Sequence, residues 1–194
     1  TMKHERHRFL DELAERFASH GAEPYGEAVS QAEHALQCAT LAERAGCSDS
    51  LVIAALLHDI GHLYEDPQLI DEQDQRHEEF GANLLRELLP EAVWQPIRLH
   101  VAAKRYLCAV DPAYHAGLST ASRQSLALQG GPFDERGSSA FLNAPFSQDA
   151  LTLRRLDDLG KDPAMRTPEL EHFFPLLERL LRVDRHQARV RAAS

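Results

Sequence analysis

A histidine and an aspartate stand side by side at the end of an apolar run, His58-Asp59 after Leu51 to Leu57, and these are the residues of the chain best suited to chemistry. Ile60, Gly61 and His62 follow at once. Burying an imidazole and a carboxylate together is costly unless each is paired, and a metal ion is the strongest partner on offer. Ala54, Ala55, Leu56 and Leu57 favour helix over strand, and a helix through 51–62 sets His58 and His62 one turn apart on one face. Taken alone, the stretch allows two readings: a polar pair closing a core helix, or a metal site. Further along, His34, His77, His100 and Asp157 also interrupt apolar helical faces. Singly, each is an ordinary buried polar residue. Together, four histidines and two carboxylates suit iron, manganese, zinc or another divalent transition metal, and the lack of cysteine among them disfavours structural zinc. Six ligands are too many for one ion that must also bind a substrate, whereas two ions bridged by one carboxylate would use them all.

Helices must position these residues. Phe9, Leu10, Leu13, Ala14 and Phe17 recur at helical spacing, so residues 3–20 read as an amphipathic helix that stops at His20-Gly21. After the turn at Pro24 to Glu27, helix is expected from Ala28 to Arg44, and Ser48 or Asp49 can cap the next one. Residues 64–76 are acidic and irregular, a loop by composition. Helices are expected again from His77 to about Leu89, from Glu91 to Ala103, from Leu151 to Leu159, and from Pro168 to about Val190. The segment 110–150 is richest in Gly, Pro and Ser; Gln129-Gly130-Gly131-Pro132 reads as a turn, and residues 133–150 have no evident role. Nothing alternates at strand period. The expected fold class is all-α, in one domain over 1–194 with its core at about 25–161.

The formal net charge of -9 argues against a nucleic-acid partner, and no stretch approaches the ~20 apolar residues of a membrane span. Thr1 to Arg8 leads into Asp11, Glu12 and Glu15 rather than an apolar signal core, which does not read as a secretory leader. Cys38, Cys47 and Cys108 are scattered and odd in number, which suits a reduced, cytoplasmic setting. His4, His7, His20, His115, His172 and His186 read as satisfied or solvent-exposed.

The order His34, His58-Asp59, Asp157 resembles the H…HD…D signature of the HD-domain superfamily, an all-α fold with metal in its helical core. His77 and His100 match the extra ligands of its dinuclear members. The likeness is closer to one branch, the mixed-valent di-iron oxygenases that cleave the carbon–phosphorus bond of hydroxyphosphonates. It rests on Gly26-Glu27-Ala28, Glu33-His34, Ala54 to His62, His100 to Leu107, Ala121-Ser122-Arg123 and Gln129 to Pro132. That resemblance implies two iron ions, Fe(II) and Fe(III), bridged by Asp59. His34, His58, Asp59 and Asp157 would hold one, and His77 and His100 would complete the other. It implies that Lys104, Ser122, Gln129 and Arg154 bind the phosphonate, and that His62 handles the proton of the substrate hydroxyl. Tyr25 and Glu27 would guard the iron, although in this branch the tyrosine stands three residues before the lid glutamate and here only two. The implied partners are O2 and a 1-hydroxy-2-(amino or trimethylammonio)ethylphosphonate, the products glycine or glycine betaine with phosphate. Two rivals stand beside this reading. One is an HD-family metal-dependent phosphohydrolase acting on a nucleotide or phosphate ester; the other is a non-catalytic ligand-sensing module. Oligomeric state is not readable from the sequence.

Overall fold

The computed structural model describes residues 2–24, 27–64 and 76–181, with side chains from residue 7 onward. Tyr25, most of the expected loop 64–76 and the chain after 181 lie outside the described residues. Helices α1 (Met2–His20), α2 (Gln31–Arg44), α3 (Asp49–Leu57), α4 (Ile60–Tyr64), α5 (His77–Leu85) and α6 (Glu91–Val110) are followed by α7 (Pro112–Ala116), α8 (Thr120–Leu128) and α9 (Glu135–Asn143). Then come α10 (Ser147–Leu159), a 3-10 turn (Leu170–Phe173) and α11 (Phe174–Leu180). Among the described residues the only β pairing is an isolated bridge between Pro24 and Ser30. None of their helices is long and apolar enough to cross a membrane.

The centre is α3. All seven residues from Leu51 to Leu57 are buried, so the helix is apolar all round and every face must be covered by a neighbour. Each fully buried Leu, Ile or Val contributes about 1.5–3 kcal/mol, enough to fix α3 as the element against which the others are placed. Helices α2 and α6 pack on two of its sides, and α10 lies along α6 and across α2. A smaller core joins Leu99 and Ala103 of α6 to Phe141 of α9 and Ala150 of α10, which gives residues 133–150 a packing role.

Several boundaries differ from those read in the sequence. The α2 helix starts at Gln31 rather than Ala28, because Ser30 and Glu33 close a reciprocal capping box. The α6 helix runs seven residues past Ala103, with Leu107 and Cys108 buried, until Asp111 leaves the helix to cap α7. The α10 helix begins at Ser147, four residues before Leu151. The segment 110–150 is largely helical, since Asp111, Ser119 and Asp134 each cap a short helix. The single helix expected from Pro168 is a 3-10 turn followed by α11. Pro175 has no N–H to give, and it stands in the first turn of α11, where none is needed.

Candidate active site

The helix expected through 51–62 is broken. After Leu57 the chain makes a turn at His58-Asp59 and restarts as α4, with the His62 amide bonded to the Asp59 carbonyl at 3.0 Å. The break separates the two histidines that a continuous helix would align. His58 turns to His34 of α2, their Nε2 atoms 3.2 Å apart. His62 lies instead against His77, rings stacked at 4.3 Å. His77, in turn, meets His100 of α6, with 3.3 Å between their Nε2 atoms.

Asp59 lies between the two histidine pairs. Its Oδ2 is 3.4 Å from His58 Nε2 and 3.7 Å from His34 Nε2. Its Oδ1 is 3.3 Å from His77 Nε2 and 3.7 Å from His100 Nε2. Asp157 of α10 closes the first pair, with Oδ1 3.4 Å from His34 Nε2. All six side chains are buried. The backbone decides which ring nitrogen faces inward. His34 Nδ1 donates to the Gly160 carbonyl (2.8 Å), His58 Nδ1 to Ala55 (2.9 Å) and His100 Nδ1 to Ile97 (2.7 Å). A carbonyl only accepts, so Nδ1 carries the proton and Nε2 points its lone pair into the cluster, the orientation a metal-ligating histidine needs. His77 differs, with Nδ1 facing Glu78 Oε2 at 3.7 Å.

Glycines let the elements approach this closely. A Cβ on Gly61 would stand 2.5 Å from the His77 carbonyl oxygen, so α4 rests directly on the start of α5. A Cβ on Gly160 would stand 2.5 Å from Cys38 Sγ and 3.4 Å from His34 Nδ1. The Cys38 thiol is 3.8 Å from both nitrogens of His34 and donates to the Leu156 carbonyl. It packs on the face of that ring rather than in line with its inward lone pair.

The electrostatics call for a cation at the centre. Burial would raise the carboxyls of Asp59 and Asp157, but His58 and His77 beside the first, and Arg154 and His34 beside the second, hold both well below the usual range. Burial lowers His58, and burial with the neighbouring rings takes His100 down to about 3, so both rings are neutral. At His34 burial is outweighed by Cys38 and Asp157, and the ring is raised well above its ordinary value, a proton answering the same negative field. Asp59 Oδ2 is buried without a hydrogen-bond partner. Inward-facing ring nitrogens around two ionised carboxylates, with His58 and His100 neutral and His34 holding a proton where an ion would sit, fit a divalent transition metal. Groups able to hold an ion include His34 with Cys38 and His58, and Asp59 with His62 and His77.

From the cluster a cavity of about 400 Å³ opens between α6, α8, α10 and the loop before α2. Lys104 stands one turn after His100 and is 2.8 Å from Ser125 Oγ. Burial, with Arg154 nearby, lowers its ammonium to about 8. Arg154 NH1 donates to Asp157 Oδ2 (2.7 Å), and NH2 approaches Ser122 Oγ (3.5 Å). Gln129, whose buried Oε1 has no partner, is delivered by the expected turn. Gly130 and Gly131 both take positive φ there, and Arg105 pins their carbonyls while lying over Phe133. Glu27, at the cavity wall, accepts from Ser119 Oγ and from Lys161 Nζ (3.2 Å). The sequence-predicted residues with described side chains thus line one cavity or the cluster at its floor.

A model of the HD domain matches residues 32–128. The chain belongs to the HD-domain family. It is 44% identical over 174 residues, 88% of each chain, to 1-hydroxy-2-(trimethylamino)ethylphosphonate dioxygenase (glycine-betaine-forming) of Leisingera caerulea. It is 42% identical over 175 residues, 87% of this chain and 86% of the relative, to hydroxymethylphosphonate dioxygenase of Gimesia maris. The identity is 33% over 170 residues, covering 85% of this chain and 77% of the relative, with an uncharacterised protein of Acanthamoeba polyphaga mimivirus. The HD match holds five members of the cluster, while Asp157, Arg154 and Lys161 lie beyond it.

Sequence reasoning missed four cavity or support residues in this HD domain. Lys161 lies past the end of α10 and carried no signal of spacing, whereas Ser125 stands three residues after Ser122 on α8, so helical spacing was the available signal for it. Asp158, four after Arg154, carried the same signal of an i,i+4 ion pair. Tyr114 carried none, since it meets Arg154 and Asp158 only through the fold.

Proposed function

We propose that this HD-domain protein is a non-haem di-iron oxygenase cleaving the carbon–phosphorus bond of a 1-hydroxyphosphonate that bears an amino or trimethylammonio group on C2. The substrate and O2 together contain the atoms of the products, glycine or glycine betaine plus inorganic phosphate. One observation carries the reading: the two oxygens of Asp59 divide between two histidine pairs. In this reading His34, His58, Asp59 and Asp157 hold one iron, and Asp59, His77 and His100 hold the second, in a mixed-valent Fe(II)/Fe(III) pair. When bound, the irons acidify the substrate alcohol and activate dioxygen. The names of the two dioxygenase relatives support the reaction class.

The chain's own residues supply the rest. Lys104 and Arg154 give charge-assisted donors to the phosphonate, Lys as a point charge and Arg as a planar fork, with Ser122 and Gln129 beside them. His62, stacked on His77 at the cavity wall, is the group that moves the hydroxyl proton. Glu27 faces the cationic end of the substrate, with Tyr25 two residues before it in sequence. The apolar α3 behind the cluster excludes water from the oxidising centre. Free Cys38, Cys47 and Cys108 suit a reducing, cytoplasmic setting.

The test incubates iron-loaded protein with each hydroxyphosphonate, hydroxymethylphosphonate included, under oxygen and under nitrogen, with products identified by mass spectrometry. Phosphate is expected only under oxygen, with glycine or glycine betaine as the carbon product of the C2-amino or C2-trimethylammonio substrate. Turnover of hydroxymethylphosphonate in place of these, whose single carbon can leave only as a one-carbon acid, would reassign the substrate. Equal phosphate release under nitrogen overturns the oxygenase and leaves a hydrolase.

A further inference from the structure

Arg154 has several partners in the cavity wall, and they divide into two sets. Toward the cavity it meets Asp157 and Ser122. On the other side, Asp158 takes the guanidinium by its edge, Oδ2 accepting from Nε at 3.3 Å and Oδ1 accepting from NH2. Tyr114 of α7 closes this outer set. Its hydroxyl accepts from Arg154 Nε at 3.0 Å and donates to Asp158 Oδ2 at 2.6 Å. Burial first, and then Asp158, press the phenol well above its ordinary range against the opposing pull of Arg154, so Tyr114 keeps the proton it donates.

We infer that Tyr114 and Asp158 form a positioning clamp that orients Arg154 for an anionic substrate group; the inference rests on the phosphonate pocket proposed above. A guanidinium has five N–H donors in a rigid plane. The clamp occupies Nε and one donor of NH2, and Asp157 occupies one donor of NH1. One N–H of NH1 and one of NH2 are left over; NH2 approaches Ser122 Oγ at 3.5 Å, and Arg154 lines the cavity, where its planar group can meet the oxygens of a phosphonate. Charge gives the same result. Arg154 is buried near a second buried cation, Lys104, and that repulsion favours swinging the guanidinium away. Two adjacent carboxylates, Asp157 and Asp158, offset it. Because Asp157 also faces His34, Asp158 is the partner that holds Arg154 without drawing on the histidine cluster. Neither Tyr114 nor Asp158 touches the substrate; both act through Arg154.

The probe is methylphosphonate, which has the anionic group but no hydroxyl to react. Its affinity for the iron-loaded protein is measured by titration calorimetry, beside KM and kcat for the hydroxyphosphonate, iron content and melting temperature. Asp158→Asn is expected to weaken methylphosphonate binding and raise KM by roughly 10–100-fold, the scale on which supporting shells act, with kcat and iron content little changed. Tyr114→Phe, a milder variant that keeps the ring packing, is expected to act in the same direction by a few-fold. Asp158→Glu is expected to recover part of the loss. Unaltered methylphosphonate affinity in both Asp158→Asn and Tyr114→Phe overturns the clamp, as does a loss that merely follows iron content. Failure of the unaltered protein to bind methylphosphonate removes the pocket and the clamp together. Binding without any oxidative turnover overturns the proposed reaction while the comparison among variants still decides the clamp.

Discussion

The two ends of the cavity are held in opposite ways. At the histidine end the backbone does the holding. Three of the four rings are locked by carbonyls at 2.7–2.9 Å, and glycines at 61 and 160 admit close approach of their neighbours. At the cationic end side chains hold one another: Lys104 by Ser125, Arg154 by Asp157, Asp158 and Tyr114, Lys161 by Glu27 and Ser122. The difference follows from the task. Metal ligands need fixed lone pairs, and a helix carbonyl is a rigid acceptor. Flexible cations instead need counter-charges to stay in a buried wall, and those counter-charges must still leave donors for a substrate. The contrast implies that substitutions at the first end remove the metal and the reaction together, while those at the second change affinity by degrees.

The largest break in this contrast is expected from Asp59→Ala. Removing the carboxylate shared by both histidine pairs is expected to abolish phosphate release and to lower iron content, read by product assay and metal analysis. Retained iron with full activity would mean that Asp59 bridges nothing.

A smaller, graded effect is expected from Lys104→Met. A hydrogen bond to a charged group is worth about 1.5–3 kcal/mol, so KM for the hydroxyphosphonate is expected to rise roughly 10–100-fold with iron retained. The same lysine sets a pH dependence. Its ammonium is lowered to about 8, so the cation that receives the anion is lost as pH climbs through that value, and KM is expected to rise above it. The sign for folding is opposite. A lysine charged more readily unfolded than folded destabilises the fold while it is protonated, so the unliganded protein gains stability between about 8 and 10.5. Binding that weakens where the free fold strengthens separates this titration from general unfolding. In Lys104→Met both trends are expected to flatten.

The smallest effect is expected from Ser125→Ala, which takes one neutral partner from Lys104. Water in the cavity can replace it, so a net hydrogen-bond value of about 0.5–1.5 kcal/mol applies and KM is expected to rise roughly 2–10-fold. A change as large as that of Lys104→Met would show that the cationic end is as rigidly built as the histidine end.

Much of this was legible in advance. The apolar run Leu51 to Leu57 announced the central helix, because a segment apolar on every side can only be core. The H…HD…D order, with His77 and His100, named all six cluster residues, since each is a polar residue on an apolar helical face. The extent of the short helices in 110–150 was not legible. Their Gly, Ser and Pro content resembles loop, and the capping by Asp111, Ser119 and Asp134 outweighs it only when the segments have a core to lie on. The clamp on Arg154 was hidden for a different reason: Tyr114 is 40 residues from it along the chain, and no local periodicity connects them.

The sequence by itself determined the helical class, a set of residues of the types that hold metal, and the family, because burial of apolar faces and ligand chemistry are properties of residues and their spacing. The tertiary structure decided which histidine pairs with which. A helix drawn straight through His58 and His62 would give one ligand face; the turn at His58-Asp59 sends His58 to His34 and His62 to His77, and leaves the Asp59 carboxylate between the two pairs. That turn depends on α4 seating Gly61 against the carbonyl of His77, a contact between segments that no local pattern records.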